Sequence, residues 1–191
     1  MYNKVFSIAV VFGLISNLLF GQSNFLPKNL GTNINNPDYA EINPVISADG
    51  KTLYFVRVSH PENNHDANEY FGPEDSQDVW YSEAQGDGSW GAAKRLDNIN
   101  MSFYNAVLSI SDDGKTILIN GIYGKKSRWI KRGLSICTKI GNTWSTPQKL
   151  DIPKLSRKNK GKSSNAYMSG DAKVIFMSYT QRFNGKKQKI Y

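Results

Sequence analysis

The chain writes one motif three times, and that repetition limits what it can fold into more than any other feature. Ser47-Ala48-Asp49-Gly50-Lys51-Thr52 returns as Ser111-Asp112-Asp113-Gly114-Lys115-Thr116. It returns more faintly as Ser169-Gly170-Asp171-Ala172-Lys173-Val174, and the shared Asp residues stand 64 and 58 positions apart. A second landmark keeps step: Ser89-Trp90 with Lys94-Arg95-Leu96-Asp97 reappears as Thr143-Trp144 with Gln148-Lys149-Leu150-Asp151, the Trp residues being 54 positions apart. Two landmarks of similar period define a tandem unit, and units of this kind bury their faces only against their neighbours.

Each unit reads as short strands. Pro44-Val45-Ile46-Ser47 and Leu53-Tyr54-Phe55-Val56 flank Asp49-Gly50, and residues 106–110 and 116–119 flank Asp113-Gly114 in the same way. β-Branched and aromatic runs joined by Asp-Gly predict a hairpin, because Gly accepts the positive φ of a tight turn. A third strand is predicted at Asp78-Val79-Trp80-Tyr81-Ser82-Glu83 and at Gly133-Leu134-Ser135-Ile136-Cys137-Thr138. A polar turn then leads to Trp90 or Trp144 and to a short outer strand ending at Leu96 or Leu150. No segment carries an amphipathic helical period, so the expectation is all-β, with four antiparallel strands per unit.

A four-stranded unit with one Trp and one Asp-Gly hairpin has the composition of a propeller blade. The pattern resembles the TolB-type, WD-repeat-like β-propeller family of exported bacterial proteins. The resemblance is carried by Asn43-Pro44, Ser47-x-Asp49-Gly50-Lys51-Thr52-Leu53-Tyr54-Phe55, Asp78-Val79-Trp80-Tyr81 and Trp90 with Leu96. In the second unit Ser111-x-Asp113-Gly114-Lys115-Thr116 and Trp144 to Leu150 carry it, and in the third Asn165-Ala166-Tyr167-Met168-Ser169. It covers residues 25–191. It implies β-propeller blades of four antiparallel strands in an incomplete ring: blade 1 over residues 41–100, blade 2 over 101–155 and a partial blade 3 over 156–191. Leu30-Gly31-Thr32-Asn33-Ile34-Asn35 is similar to Leu96-Asp97-Asn98-Ile99-Asn100, so residues 22–40 read as a lead-in with an orphan outer strand. Closed propellers use about 4–8 blades. A truncated reading of a longer gene accounts for fewer than three blades better than an open arc does, with self-association through exposed blade edges as the other way to cover the bare ends.

Residues 1–21 carry Lys4, an apolar run over 5–20 and a small residue at Gly21, the layout of a secretory signal peptide. The run is short for a spanning helix of about 20 apolar residues. The expected address is therefore the periplasm or outer membrane. Cys137 is the one cysteine, which excludes an intramolecular disulfide, and its place in an apolar strand predicts a buried, inert thiol. The net charge of +8 divides unevenly, with 6 Lys/Arg against 14 Asp/Glu in residues 1–113 and 18 against 2 in residues 114–191. The cations cluster in predicted loops rather than along one face, and export argues against a nucleic-acid partner.

Candidate sites are sparse. His60 and His65 lie five apart, which fits neither a zinc finger nor a helical His pair, and the carboxylates between residues 58 and 77 are too scattered for a calcium loop. No metal and no cofactor are expected. No Gly-x-Ser-x-Gly elbow exists, so no catalytic residue is assigned. Asp49, Gly50, Asp113 and Gly114 are assigned to hairpin structure, and Trp90 and Trp144 to packing between blades. The segment Ser127-Arg128-Trp129-Ile130-Lys131-Arg132 repeats nothing and mixes apolar residues with cations. A non-repeating loop is where a scaffold grafts a contact surface, so Arg128, Trp129, Lys131 and Arg132 are the candidate binding residues. The resemblance implies a non-enzymatic binding scaffold that contacts an envelope protein or cell-wall glycan. The alternative is the substrate-filtering propeller of a truncated hydrolase, a peptidase or a glycosidase.

Overall fold

The computed structural model describes residues 26–63, 75–100, 104–123, 129–160, 164–180 and 188–191. The segment read as a signal peptide lies outside them. The described residues form three antiparallel sheets in chain order. The first runs β1 (Ala40–Ile46), β2 (Thr52–Val58), β3 (Gln77–Glu83) and β4 (Lys94–Arg95), each strand beside the next. The second holds β5 (Val107–Ile110), β6 (Thr116–Tyr123) and β7 (Trp129–Ile140), with β8 (Thr143–Trp144) and β9 (Gln148–Lys149) both paired to β7. After a single turn of helix, α1 (Leu155–Lys158), the third sheet follows as β10 (Ser164–Met168), β11 (Ile175–Tyr179) and β12 (Lys189–Ile190). The first strands converge: β5 touches both β1 and β10. The fold is all-β, an incomplete, propeller-like fan of sheets.

Side-chain chemistry at the three hairpin corners explains why the strands pair where they do. Ser47 Oγ donates to Asp49 Oδ1 (2.6 Å) and accepts from Thr52 N (2.9 Å), while Asp49 Oδ1 also accepts from Lys51 N (3.0 Å). Ser111 with Asp113 and Ser169 with Asp171 repeat all three bonds. Each carboxylate is held below its ordinary pKa, first by the Ser hydroxyl and then by the backbone N–H. Gly50 and Gly114 take the left-handed φ of the corner (70° and 65°), and in the third copy Ala172 takes it at 57° despite its Cβ.

Two expectations are corrected. Residues 26–39 contain no strand, where an orphan outer strand was expected. Ile34 N and Asn35 N both donate to the Gly31 carbonyl, closing a turn that lays Ile34 on Leu53, Phe55 and Trp80. Trp129, Lys131 and Arg132 belong to strand β7 rather than to a loop, because β6 passes a bulge around Gly121 and goes on to pair Ile122 with Lys131 and Tyr123 with Trp129. The short outer strand expected after Trp144 is β9, and β8 precedes it at Trp144 itself. Pro147 stands between β8 and β9 and has no N–H to donate to the ladder.

Three apolar clusters hold the sheets together. Tyr54 and Val79 of the first sheet meet Val107, Ile117, Ile119, Cys137 and Trp144 of the second, with Ile99 wholly buried between them. Leu118 and Leu134 of the second meet Ala166 and Met168 of the third. Burying a side chain of this size contributes about 1.5–3 kcal/mol. Several polar groups at these contacts are paired. Asn100 grips the Val79 backbone, its Oδ1 accepting from Val79 N (2.7 Å) and its Nδ2 donating to Val79 O (2.8 Å). Asp78, fully buried, accepts from Arg95 Nε (2.7 Å) and Asn105 Nδ2 (2.9 Å), and Tyr123 OH donates to Asn105 Oδ1 (3.2 Å). Met168 N donates to Ser109 Oγ (2.9 Å) across the second contact.

Candidate functional site

The seam between the first and second sheets opens outward into a groove of about 530 Å³, within the few-hundred-Å³ range of small-ligand sites. Its walls follow from the strand register. Tyr54 on β2 lies opposite Tyr81 on β3, which puts the two rings on one face of the sheet, 6.3 Å apart. The turn after β7 brings Trp144 edge-on to Tyr54, at 6.4 Å and 71°. Asn98 fixes this approach, its Nδ2 donating to Thr143 Oγ1 (2.6 Å) and to the Trp144 carbonyl (3.0 Å).

Charges of both signs frame the aromatic floor. Lys139 Nζ stands 5.9 Å from the Trp144 ring centre, and Lys94 Nζ the same distance from Tyr81, each within cation–π reach. Lys94 also pairs with Glu83 (3.3 Å), and Arg95 bridges buried Asp78 to exposed Asp97. Burial raises the Tyr54 phenol above its ordinary value, so it stays protonated and can donate. Tyr54 and Trp144 are each 5% exposed and close the floor, so the groove offers the half-buried Tyr81 ring beside paired donors and acceptors, which suits a ligand with a C–H face and hydroxyl edges.

The residue types that serve covalent and acid–base chemistry are placed elsewhere. Cys137 is fully buried in the core of the first seam, and burial pushes its thiol up to about 12, far from thiolate formation at neutral pH. His60 is packed between Tyr39 (4.7 Å) and Trp80 (4.5 Å). Burial first, and then the Arg57 cation, hold its pKa below 6.5. Arg57 itself is buried over Trp80, with Nη2 donating to the carbonyls of Asn33 and Ile34, so it fastens the N-terminal turn. Among the described residues no group of three His, Cys, Asp or Glu is placed to hold a metal ion; His65 lies outside them.

Of the residues singled out in the sequence, Trp144 lines the groove and Trp90 is half-buried against Ile34, Leu53, Phe55 and Trp80. Asp49, Gly50, Asp113 and Gly114 sit at the hairpin corners away from it. The backbone of Trp129, Lys131 and Arg132 lies on β7, and Arg128 falls outside the described residues. The groove residues Tyr54, Tyr81, Lys139 and Asn142 were not singled out. The available signal was substitution between copies, because Tyr54 and Tyr81 hold the positions of Leu118 and Ile136 in the second sheet.

No family model matches the chain, and no curated protein matches it. Among solved structures it is similar to TolB from Acinetobacter baumannii, with a TM-score of 0.44 and 16% identity over 77% of this chain. The chain spans 28% of the length of that protein.

Proposed function

We propose that this chain is an exported, non-enzymatic binding module of the periplasm or outer membrane, and that the groove between its first two sheets takes a segment of cell-wall glycan. The observation that carries the reading is the groove wall itself, with Tyr54, Tyr81 and Trp144 flanked by Lys139, Arg95 and Glu83 in a cleft large enough for a short oligosaccharide. Sugars present apolar ring faces and polar edges together, and this wall sets the half-buried Tyr81 ring among charged and amide groups that complement both. The two carboxylates at the rim, Glu83 and Asp97, are each paired to a cation, which suits hydrogen-bond acceptance from hydroxyls. The basic leader with its apolar run supports export.

The experiment is co-sedimentation with purified peptidoglycan sacculi, joined to calorimetry with N-acetylglucosamine oligomers. Binding is expected, and Tyr81→Ala and Lys139→Ala should each weaken it about tenfold while leaving the circular dichroism spectrum unchanged. Lys173→Ala, on a distant hairpin corner, serves as the control. The reading fails if neither probe binds, if the groove variants bind like the control, or if the oligomers are cleaved. Export is tested by fusing residues 1–21 to alkaline phosphatase, and an inactive, cytoplasmic fusion would overturn that part. For an envelope-protein partner we propose the sequence segment of Arg128, Trp129, Lys131 and Arg132, the last three on β7, since its mix of an indole with cations is the composition of a contact surface.

A further inference from the structure

The turn that forms the second-sheet wall of the groove has a counterpart in the first sheet, and the two differ in charge. Thr52 pairs with Glu83 as Thr116 pairs with Thr138, which makes Lys139 the equivalent of Ala84. The backbone agrees. Ala84 N donates to Lys51 O and Lys139 N to Lys115 O, both at 2.8 Å, and the residues opposite them are Trp90 and Trp144. Alanine serves this position in the first copy, so neither the ladder nor the indole needs a cation there. Residues 84–90 contain one Asp and no Lys or Arg, whereas residues 139–144 contain one Lys and no Asp or Glu. The second of these turns is the one that supplies Lys139, Asn142, Thr143 and Trp144 to the groove.

On the opposite wall every charge has a partner. Glu83 is matched by Lys94, and Arg95 by Asp78 and Asp97. Lys139 is exposed and forms no ion pair among the described residues, its Nζ having only the Trp144 ring at 5.9 Å. Thr143, next to Trp144 in the chain, is left with a donor. Asn98 Nδ2 gives hydrogen bonds to both Thr143 Oγ1 (2.6 Å) and the Trp144 carbonyl (3.0 Å), and the carbonyl fixes which end of the amide points this way. Thr143 Oγ1 is therefore the acceptor in its bond to Asn98 and keeps its own O–H to give. One wall thus presents an unpaired cation and a free hydroxyl donor, while the other presents the paired acceptors Glu83 and Asp97.

From this division we infer that the groove selects an acidic sugar. Lys139 and Thr143 receive a carboxylate borne on the sugar ring, and Glu83 and Asp97 accept from its hydroxyls. A carboxylate is the acceptor that gains most from a cation and an O–H offered together. The inference rests on the glycan reading of the groove and adds to it the charge and the orientation of the ligand. Lys139 is a specificity-determining residue in this arrangement.

The test is calorimetry of the whole chain with the wall disaccharide N-acetylglucosaminyl-N-acetylmuramic acid and with its methyl ester, which removes the charge of the lactyl carboxylate. In 0.05 M salt the acid should bind about fivefold tighter than the ester, the worth of one exposed ion pair. The ratio should shrink in 0.5 M salt, where the Debye length is several times shorter. Lys139→Gln keeps a donor and removes the charge, so it should bring acid and ester to equal affinity, whereas Lys173→Gln, on a distant hairpin corner, should leave the preference intact. Trigalacturonate, with ring carboxylates and no acetamido groups, distinguishes the source of the acid. Weaker binding than the disaccharide assigns it to a wall sugar and tighter binding to a uronate, with Lys139 required in either case. Equal affinity for acid and ester, or a preference that survives Lys139→Gln, overturns the inference and leaves the glycan reading standing. If the acid, the ester and N-acetylglucosamine oligomers all fail to bind, the glycan reading itself fails and this inference with it.

Discussion

Replacing Asp78 by alanine should weaken the fold more than any other loss of a single charge. Its carboxylate has no exposure, and each oxygen is committed: Oδ2 to Arg95 Nε at 2.7 Å, and Oδ1 to Asn105 Nδ2 at 2.9 Å. Removing one member of a buried pair leaves the other uncompensated, at about 3–5 kcal/mol. Arg95 is 20% exposed and keeps Asp97 at the rim, which places the expected loss near the lower end, about 3 kcal/mol. For a chain of this size each kcal/mol moves the midpoint by about 2–4 °C, giving a fall of about 6–12 °C. Asp97→Ala removes the other partner of the same guanidinium, but that carboxylate is 77% exposed and should contribute about 0.5 kcal/mol. Urea unfolding followed by Trp fluorescence measures both variants, and an unchanged slope confirms that the folded state is the same. If Asp78→Ala costs no more than Asp97→Ala, then Asp78 does not clamp the first two sheets together.

Other outcomes follow from single environments. Ala172 holds a left-handed φ of 57° at the corner where the first two copies have Gly, so Ala172→Gly should stabilise the chain by about 0.5–1 kcal/mol in the same urea assay, whereas Gly114→Ala should destabilise it. The Cys137 thiol, buried and raised to about 12, should resist iodoacetamide at pH 8 in the native protein and react at once in denaturant. His60 is depressed in the fold, so its stabilising effect is complete above 6.5 and is lost as pH falls through its lower native value. The three corner carboxylates, also depressed, lose theirs only as pH falls below 3.8. A His60→Gln variant should flatten the first decline in a pH series of thermal melts and leave the second unchanged.

The sheet architecture was legible because its signals are local. Ser-x-Asp followed by Gly or Ala fixes a corner with bonds spanning no more than five residues, so the pattern announces the hairpin before any tertiary contact exists. The groove was not legible, because its walls come from residues some 90 positions apart in the chain, such as Tyr54 and Trp144, brought together by the angle between sheets. Trp129, Lys131 and Arg132 have no counterpart in the first unit, yet they read as strand because β6 and β7 pair as far as Tyr123 and Trp129, where the first sheet's equivalent pairing ends at Val58 and Gln77. The likeness between residues 30–35 and 96–100 was visible, but it marks a turn and not the strand. Gly31 at φ 85° and the paired N–H groups on its carbonyl define that turn, and neither is a strand signal.

Each sheet is closed on one side by an isoleucine that comes before it in the chain: Ile34 on the first, Ile99 on the second and Ile152 on the third. A polypeptide emerging from a ribosome or threading through a translocation pore would thus carry its own cover for every sheet it completes, and would show the solvent one greasy surface at a time. Misdocking, which grows with the number of such surfaces exposed together, is held to a single choice at every stage of synthesis.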